Sequence, residues 1–143
     1  MITIYTDGAC SGNPGLGGWG AVILEETKKP ILLNGGEANT TNNRMELNAA
    51  ISAISYFESK KDLIIFTDSK YLKDGIESWI HKWKLNNWKT ASKKPVKNKD
   101  LWLKLNDQIS KHNIKWNWVK GHSENQYNEQ ADNLARKYIE ENS

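Results

Sequence analysis

Four acidic residues and one histidine have the types and the spacing that could do chemistry together. Asp7 and Asp68 each follow an apolar run and a threonine, in the stretches ITIYTD and LIIFTD. Such β-branched runs predict strands, and parallel neighbouring strands bring their carboxyl ends to the edge of a sheet where ligands usually bind. Two Thr-Asp strand ends in one small chain therefore predict two carboxylates at one site. The structural alternatives are that Asp7 ends its strand in a turn and that Asp68, or equally Ser69, caps the following helix.

Glu46 and Asp132 lie on two further predicted helices. Glu46 stands four residues before an alanine of an apolar stripe, so its side chain can point toward the sheet. As an alternative, Asn43 and Glu46 match a capping box. Asp132 adjoins Ala131 and Ala135 of a second stripe, and its alternative is a solvated position.

Convergence of these four acids would predict a bound metal ion. Like charges at close range strongly raise one another's pKa, so the cluster requires a cation. Carboxylate oxygens without a histidine or thiolate cluster favour a hard ion such as Mg²⁺. His122 follows the last predicted strand in a polar loop, where its ordinary pKa near 6.5 suits a proton shuttle. An exposed loop histidine without a role is the alternative.

The elements that must position these residues predict an α/β fold. Strand-like runs occupy 1–7, 17–25, 31–37, 62–67 and 114–119. Helical stripes run over 47–57 and 131–139, and two more helices are expected at about 69–84 and 99–112. Short turns between the first three strands predict antiparallel pairing, whereas the helical crossovers later in the chain predict parallel pairing. We therefore expect a mixed five-stranded sheet, three antiparallel strands then two parallel, with helices on both faces.

Length and composition indicate one domain over residues 1–143. The single cysteine, Cys10, permits no internal disulfide, and no segment resembles a secretion signal or a membrane span. These features predict a cytoplasmic protein, and no feature indicates an oligomer.

Positive charge is concentrated in one window. This lysine window, residues 82–104, holds eight lysines and one acid, although the whole chain has a net charge of only +3. Tryptophans at positions 79, 83, 88 and 102 lie in or beside this window. Interleaved lysine and aromatic side chains predict a nucleic-acid surface, whereas a solvated lysine face with core tryptophans is the alternative.

Five segments of the chain resemble bacterial type 1 ribonuclease H in order and spacing. They read TDGACSGNPGLGGWGAV, TTNNRMELNAA, TDSKYL, WIHKW followed by WKTASKKPVKN and DLW, and WVKGHSENQYNEQADNLA. The resemblance implies the ribonuclease H-like fold and endonucleolytic hydrolysis of the RNA strand of an RNA/DNA hybrid, leaving 5′-phosphate and 3′-hydroxyl ends. The carboxylates predict two Mg²⁺ ions, for which Mn²⁺ could substitute. Because the chain starts directly at the first strand, we expect no separate hybrid-binding domain and low processivity, and we expect a monomer.

The same resemblance assigns expected roles to individual residues. The metal-binding carboxylates are Asp7, Glu46, Asp68 and Asp132, with His122 assisting proton transfer or product release. The expected contacts with ribose 2′-hydroxyls are the main chain at Gly8 and Cys10 and the side chain of Glu46. The other expected substrate contacts are Asn13, Asn42 and Asn43 in the minor groove, Thr41 at a DNA phosphate, and Trp79, Lys84, Trp88, Lys89, Lys93 and Lys94 on the DNA strand.

The chain departs from the family pattern at Lys70, where glutamine is usual, and at Leu85-Asn86-Asn87, where basic residues and a glycine are common. The second departure predicts weaker substrate binding. Three other functions remain open: a related nuclease such as a DDE transposase or junction resolvase, a hybrid-binding module with weak or no catalysis, and a lysine-rich structural RNA-binding domain.

Overall fold

A computed structural model describes residues 1–119 and 125–143. Within this part of the chain, the five strands follow one another in the predicted order, but the single helix expected at about 69–84 is divided into two α-helices by a π-helical turn, which gives five α-helices instead of four. The elements are β1 (Ile2–Cys10), β2 (Gly15–Leu24), β3 (Ile31–Thr40), α1 (Asn42–Ser55), β4 (Asp62–Thr67), α2 (Lys70–Asp74), a π-helical turn (Gly75–Trp79), α3 (Ile80–Leu85), α4 (Lys99–Ser110), β5 (Asn113–Trp118) and α5 (Gln126–Asn142). None of the helices described is both long and apolar enough to cross a membrane.

The five strands form one mixed sheet in the order β3-β2-β1-β4-β5. β1 pairs antiparallel with β2, and β2 pairs antiparallel with β3. β1 pairs parallel with β4, and β4 pairs parallel with β5. This topology confirms the predicted fold class, including its three antiparallel and two parallel strands.

The first strand is longer than the sequence predicts. We expected it to end at Asp7, but β1 continues to Cys10 because Gly8, Ala9 and Cys10 pair with the glycine-rich start of β2. The prediction that Asp7 ends its strand was therefore wrong for the antiparallel side of β1. On the parallel side, the last paired residue of β1 is Tyr5, which lies opposite Phe66.

Helices cover both faces of the sheet because side chains alternate along β1. Ile4 is fully buried in the larger core with α1, whereas Tyr5 packs on the other face with Ala131 of α5. The predicted stripe of α1 is buried except for Ile51, which is half-buried, and Ala49 and Ala53 beside it are buried as well. α1 is buried on more than one side because it lies between the sheet and α4, which packs on its outer side.

Local capping differs from one of the sequence predictions. The side chain of Thr41 caps α1 by accepting a hydrogen bond from the Arg44 N–H at 3.3 Å. The capping box built on Asn43 was therefore wrong, because α1 begins two residues earlier than that box requires. Ser69, not Asp68, caps α2 through its hydroxyl, which accepts from the Leu72 N–H at 3.0 Å.

The helical segment from 70 to 85 contains a π-helical turn at Gly75. Gly75 is buried against the fully buried ring of Trp102, and a Cβ at this position would overlap that ring. We expect Gly75→Ala to lower the free energy of unfolding by about 1–3 kcal/mol, because the added methyl overpacks a rigid aromatic. Chemical denaturation checks this, with Ser78→Ala in the same turn as an exposed control. Equal stability of the two variants would contradict the prediction.

Candidate active site

The register of the parallel strands places Asp7 and Asp68 side by side. Tyr5 of β1 lies opposite Phe66 of β4, and each aspartate follows its paired residue by two positions. Two residues along a strand return the side chain to the same face. The two carboxylates therefore meet at the carboxyl end of the parallel pair, as the Thr-Asp pattern predicts.

Glu46 reaches the same place from α1. Its side chain is 4% exposed, which confirms that it faces inward. β1 approaches α1 closely at Gly8, where a Cβ would lie only 2.6 Å from the Glu46 backbone nitrogen. Carboxylate oxygens of Asp7, Glu46 and Asp68 all lie within 4.8 Å of one another, so the three can share one ion.

Burial and mutual repulsion disfavour the charged forms of these acids. The pKa of Glu46 lies well above its ordinary value, first because of burial and then because of the neighbouring charges on Asp7 and Asp68. Burial, the Asp68 charge and a hydrogen bond with Asp132 raise the pKa of Asp7 to about 8. The Gly8 N–H opposes this shift by donating to Asp7 Oδ1 at 2.9 Å.

The donor set fits a hard divalent cation. Glu46 Oε1 is buried without a hydrogen-bond partner among the described residues. A buried polar atom without a partner costs free energy, and a cation shared with the two aspartates would satisfy it. Oxygen-only ligands of this kind suit Mg²⁺ or Mn²⁺.

Asp132 lines the same cavity from α5 but lies outside the set of three. The cavity has a volume of about 450 Å³ and contains all four predicted carboxylates. The side chain of Asp132 is 33% exposed and forms an ion pair with Arg136, one helical turn further along α5.

Other residues around the cavity were predicted only in part. Gly8, Asn42 and Asn43 line it together with the carboxylates, as the resemblance implies for substrate contacts. Ser69 and Tyr71 also line it but were not among the predicted site residues. The cavity also includes Lys70, the position at which this chain departs from the family pattern.

A second, smaller cavity of about 90 Å³ adjoins the first. Asn13 and Thr41 meet Asn42 and Asn43 there, so four of the predicted substrate contacts share this wall of the site. The sequence analysis missed the other two lining residues, which are Lys97 and Asn98.

Arg44 joins the start of α1 to the start of α4 beside this second cavity. Its guanidinium donates to both carboxylate oxygens of Asp100, at 3.0 and 2.9 Å, and to Asn98 Oδ1 at 3.3 Å. A further ion pair links it to Glu37 at 3.3 Å. Hydrogen bonding to Arg44 holds the pKa of Asp100 below its ordinary value. The lysine window is therefore fixed to the start of α1 at the point where it rejoins the core.

The four tryptophans in or beside the lysine window pack together, with Trp83 in contact with the other three. Ring centroids are 5.9 Å apart for Trp79 and Trp83, 6.1 Å for Trp83 and Trp88, and 5.3 Å for Trp83 and Trp102. Trp102 is fully buried, which confirms that part of the set belongs to the core, whereas the other three are half-buried.

The predicted lysines are solvent-exposed: Lys84, Lys89, Lys93 and Lys94. No acid forms an ion pair with them within the part of the chain that the structure covers. Their charges are therefore available to an anionic partner.

Two predicted residues stand apart from this picture. The half-buried thiol of Cys10 donates weakly to the Thr40 carbonyl at 3.3 Å, which directs its side chain toward the protein rather than into the main cavity. His122 lies outside the described residues.

Sequence comparison matches the chain to one protein family. The RNase H family profile matches residues 1–140. A protein named Ribonuclease H from Francisella philomiragia is 57% identical over 140 residues, covering 98% of this chain and 91% of that protein. A Ribonuclease H from Rhodopseudomonas palustris is 56% identical over 142 residues, covering 99% and 87%.

Solved structures give the same result. LC9-RNase H1, a type 1 RNase H with the type 2 active-site motif, superposes with a TM-score of 0.86 at 28% identity, covering 99% of this chain and 73% of that one. LC11-RNase H1, solved in complex with an RNA/DNA hybrid, shares the fold with a TM-score of 0.73 at 22% identity, covering 99% and 98%. The resemblance in the five sequence segments is thereby confirmed, and the chain belongs to the ribonuclease H family of metal-dependent endonucleases.

Proposed function

We propose that this chain hydrolyses the RNA strand of RNA/DNA hybrids and leaves 5′-phosphate and 3′-hydroxyl ends. The observation that carries the proposal is the buried Glu46 oxygen without a partner, facing two aspartates within 4.8 Å. A binding module would gain nothing from retaining three mutually repelling acids in a cavity. An enzyme that requires a cation at this place would gain its metal ligands from them.

Asp7, Glu46 and Asp68 would hold one Mg²⁺ ion, and Asp132 would join them to hold a second, weaker ion that bound substrate would stabilise, with Mn²⁺ as a possible substitute. Such ions, when bound, activate a water molecule and stabilise the leaving oxygen of a phosphodiester. Asp132 suits the second role because it lines the same cavity from a separate element and is more exposed than Glu46.

The residues around the cavity suit recognition of the RNA strand. Gly8 lines the carboxylate cavity beside Asp7, so a ribose in the cavity could contact its main chain. We propose that the main chain at Gly8 and Cys10 and the Glu46 carboxylate contact 2′-hydroxyls, the groups that distinguish RNA from DNA. Asn13, Asn42 and Asn43 would contact the minor groove.

The DNA strand would lie across the second cavity and the lysine window. Thr41 and its neighbours form a polar recess of the size of a phosphate group, to which Lys97 adds a positive charge. From there, the exposed lysines at 84, 89, 93 and 94 continue the positive surface, and half-buried Trp79 and Trp88 offer apolar edges for deoxyribose.

We retain His122 as the proposed proton-transfer residue. β5 runs parallel to β4, and the Val119 N–H donates to the Thr67 carbonyl at 2.9 Å, one residue before Asp68. The chain therefore leaves β5 beside the carboxylates, three residues before His122.

The remaining parts of the proposal concern the state of the protein. We propose that residues 1–143 act as one catalytic domain and as a monomer, since the carboxylates come from β1, α1, α5 and the end of β4 around one sheet. A cytoplasmic location is supported by a single cysteine, which is typical of reducing compartments.

One assay tests the central proposal. A labelled RNA is presented single-stranded, as an RNA duplex and paired with DNA, in Mg²⁺ and in chelator. We expect cleavage of the hybrid alone, abolished by chelator, with ends that are substrates for enzymes requiring 5′-phosphate and 3′-hydroxyl groups. Hybrid binding without cleavage in either Mg²⁺ or Mn²⁺ would instead support the inactive binding module.

Glu46→Gln separates catalysis from a structural role in α1. Because Thr41 already caps the helix, we expect the free energy of unfolding to be unchanged or raised, as the amide removes repulsion. Turnover should fall by about a hundredfold or more, since a metal ligand is lost. Denaturation and steady-state kinetics check this, with exposed Glu58→Gln as the control. A loss of stability with turnover retained would contradict the assignment.

A further inference from the structure

Asp132 lies between two cavities. On one side it faces the carboxylate cavity, and on the other it lines an open cavity of about 510 Å³ on the outer side of α5, together with Glu129, Asn133 and Arg136. Its ion pair with Arg136 lies along the helix, at the spacing of one turn. The Arg136 guanidinium therefore holds the same carboxylate, that of Asp132, which a cation in the carboxylate cavity would bind.

The four acids do not all lie equally close together. Oxygens of Asp7, Glu46 and Asp68 are close enough to share an ion, but Asp132 lies outside that set. It contacts the set through its hydrogen bond with Asp7. The side chain that lies outside is also the one that is paired with an arginine.

We propose that Arg136 is a positioning residue that keeps the Asp132 carboxylate beside Asp7 but outside the set of three that can share one ion, so that a divalent cation recruits this fourth ligand by displacing the guanidinium. This inference rests on the proposed function of the carboxylate cluster as a metal site. On this proposal, Arg136 sets the concentration of divalent cation at which Asp132 joins the other three carboxylates as a ligand.

The surroundings of Arg136 suit a reversible contact. Its side chain is 60% exposed, and the open cavity beside it leaves room for another rotamer. Asn133 Oδ1 accepts from Arg136 Nη2 at 3.1 Å, so the guanidinium keeps a partner on the helix surface. An exposed ion pair of this kind contributes little stability by itself, so its loss to a competing cation costs little.

Two substitutions with the same change in charge test the inference. Arg136→Gln removes the competing guanidinium, whereas Lys137→Gln removes an exposed positive charge from the next position of α5. Calorimetric titration of the substrate-free proteins with Mg²⁺ should give a dissociation constant about two- to fivefold lower for Arg136→Gln than for Lys137→Gln. Arg136→Lys, which keeps the charge, should stay near the wild-type value.

Carboxyl-carbon NMR of the same samples resolves the order of binding. In the wild type, we expect the Asp132 signal to respond at higher Mg²⁺ concentration than those of Asp7 and Asp68. In Arg136→Gln, the three signals should respond together. Equal Mg²⁺ affinities for the two glutamine variants, or an unchanged order of response, would overturn the inference and leave the metal site standing. If wild-type signals of the cluster do not respond to Mg²⁺ at all, the proposed function fails, and this inference fails with it.

Discussion

Replacing Asp7 with asparagine is expected to abolish cleavage of RNA/DNA hybrids while making the metal-free protein more stable at alkaline pH. The amide cannot supply the negative oxygen that a shared cation requires. Because each factor of ten in rate corresponds to about 1.4 kcal/mol, a loss of about 4 kcal/mol of charge stabilisation lowers turnover by about a thousandfold. The same substitution removes a buried charge from among three others.

The pH dependence of stability follows from the raised pKa of Asp7. Its carboxyl titrates near 3.8 in the unfolded chain and at about 8 in the folded protein, chiefly because it is buried and faces Asp68. Between these values the folded state holds a proton that the unfolded state has released, so stability falls as pH rises across this window. The contribution is complete below pH 3.8 and is lost as pH passes 8.

Denaturation of the metal-free wild type and Asp7→Asn at several pH values, in chelator, checks both parts. We expect Asp7→Asn to be more stable by about 1–3 kcal/mol at pH 9 and to show a flatter pH profile. Asp74→Asn, on α2, serves as a control that removes an aspartate outside the cluster. Retained turnover in Asp7→Asn would contradict the metal assignment, whereas parallel pH profiles for the two variants would contradict the electrostatic explanation.

The carboxylate site could be predicted because its signals are local. Asp7 and Asp68 stand in the same position relative to two apolar runs, and parallel pairing then brings them together without any further information. The role of Glu46 was harder to predict, since Thr41, Asn42 and Asn43 are all good cap residues and a cap at Asn43 would place Glu46 in a capping box. The cap at Thr41 excludes that box, and the choice of cap depends on where β3 ends rather than on the preference of any one residue.

Features that depend on distant parts of the chain were not predicted. Gly8 and its neighbours are typical of a turn, yet they extend β1 because they pair with the glycine-rich start of β2. Lys97 and Asn98 join the second cavity only because Arg44 fixes the end of the lysine window to the start of α1. The contact between Arg136 and Asp132 has the local spacing of a helix pair, but only the fold shows that one partner faces the active-site cavity.

The lysine window provides the second large expected effect. Replacing Lys89, Lys93 and Lys94 together with glutamine should weaken binding of an RNA/DNA hybrid by about ten- to a hundredfold at moderate salt. The three side chains are exposed, with Lys89 in the isolated bridge to Pro95 and Lys93 and Lys94 in the loop that the bridge closes, so their loss should leave the core intact.

Salt dependence distinguishes phosphate contacts from a general effect of net charge. Each phosphate neutralised contributes about 0.9 to the slope of log affinity against log salt concentration, so three lost contacts should flatten the slope by about 2–3. A matched control replaces Lys29, Lys60 and Lys61, three exposed lysines at the end of the sheet opposite the carboxylates. This control makes the same change in net charge but should keep nearly the wild-type slope, because these positions lie away from the proposed substrate path. Equal slopes of log affinity against log salt concentration for the two triple variants would show that the lysine window is a solvated face. The hybrid would then bind at the carboxylate cavity without the lysine window.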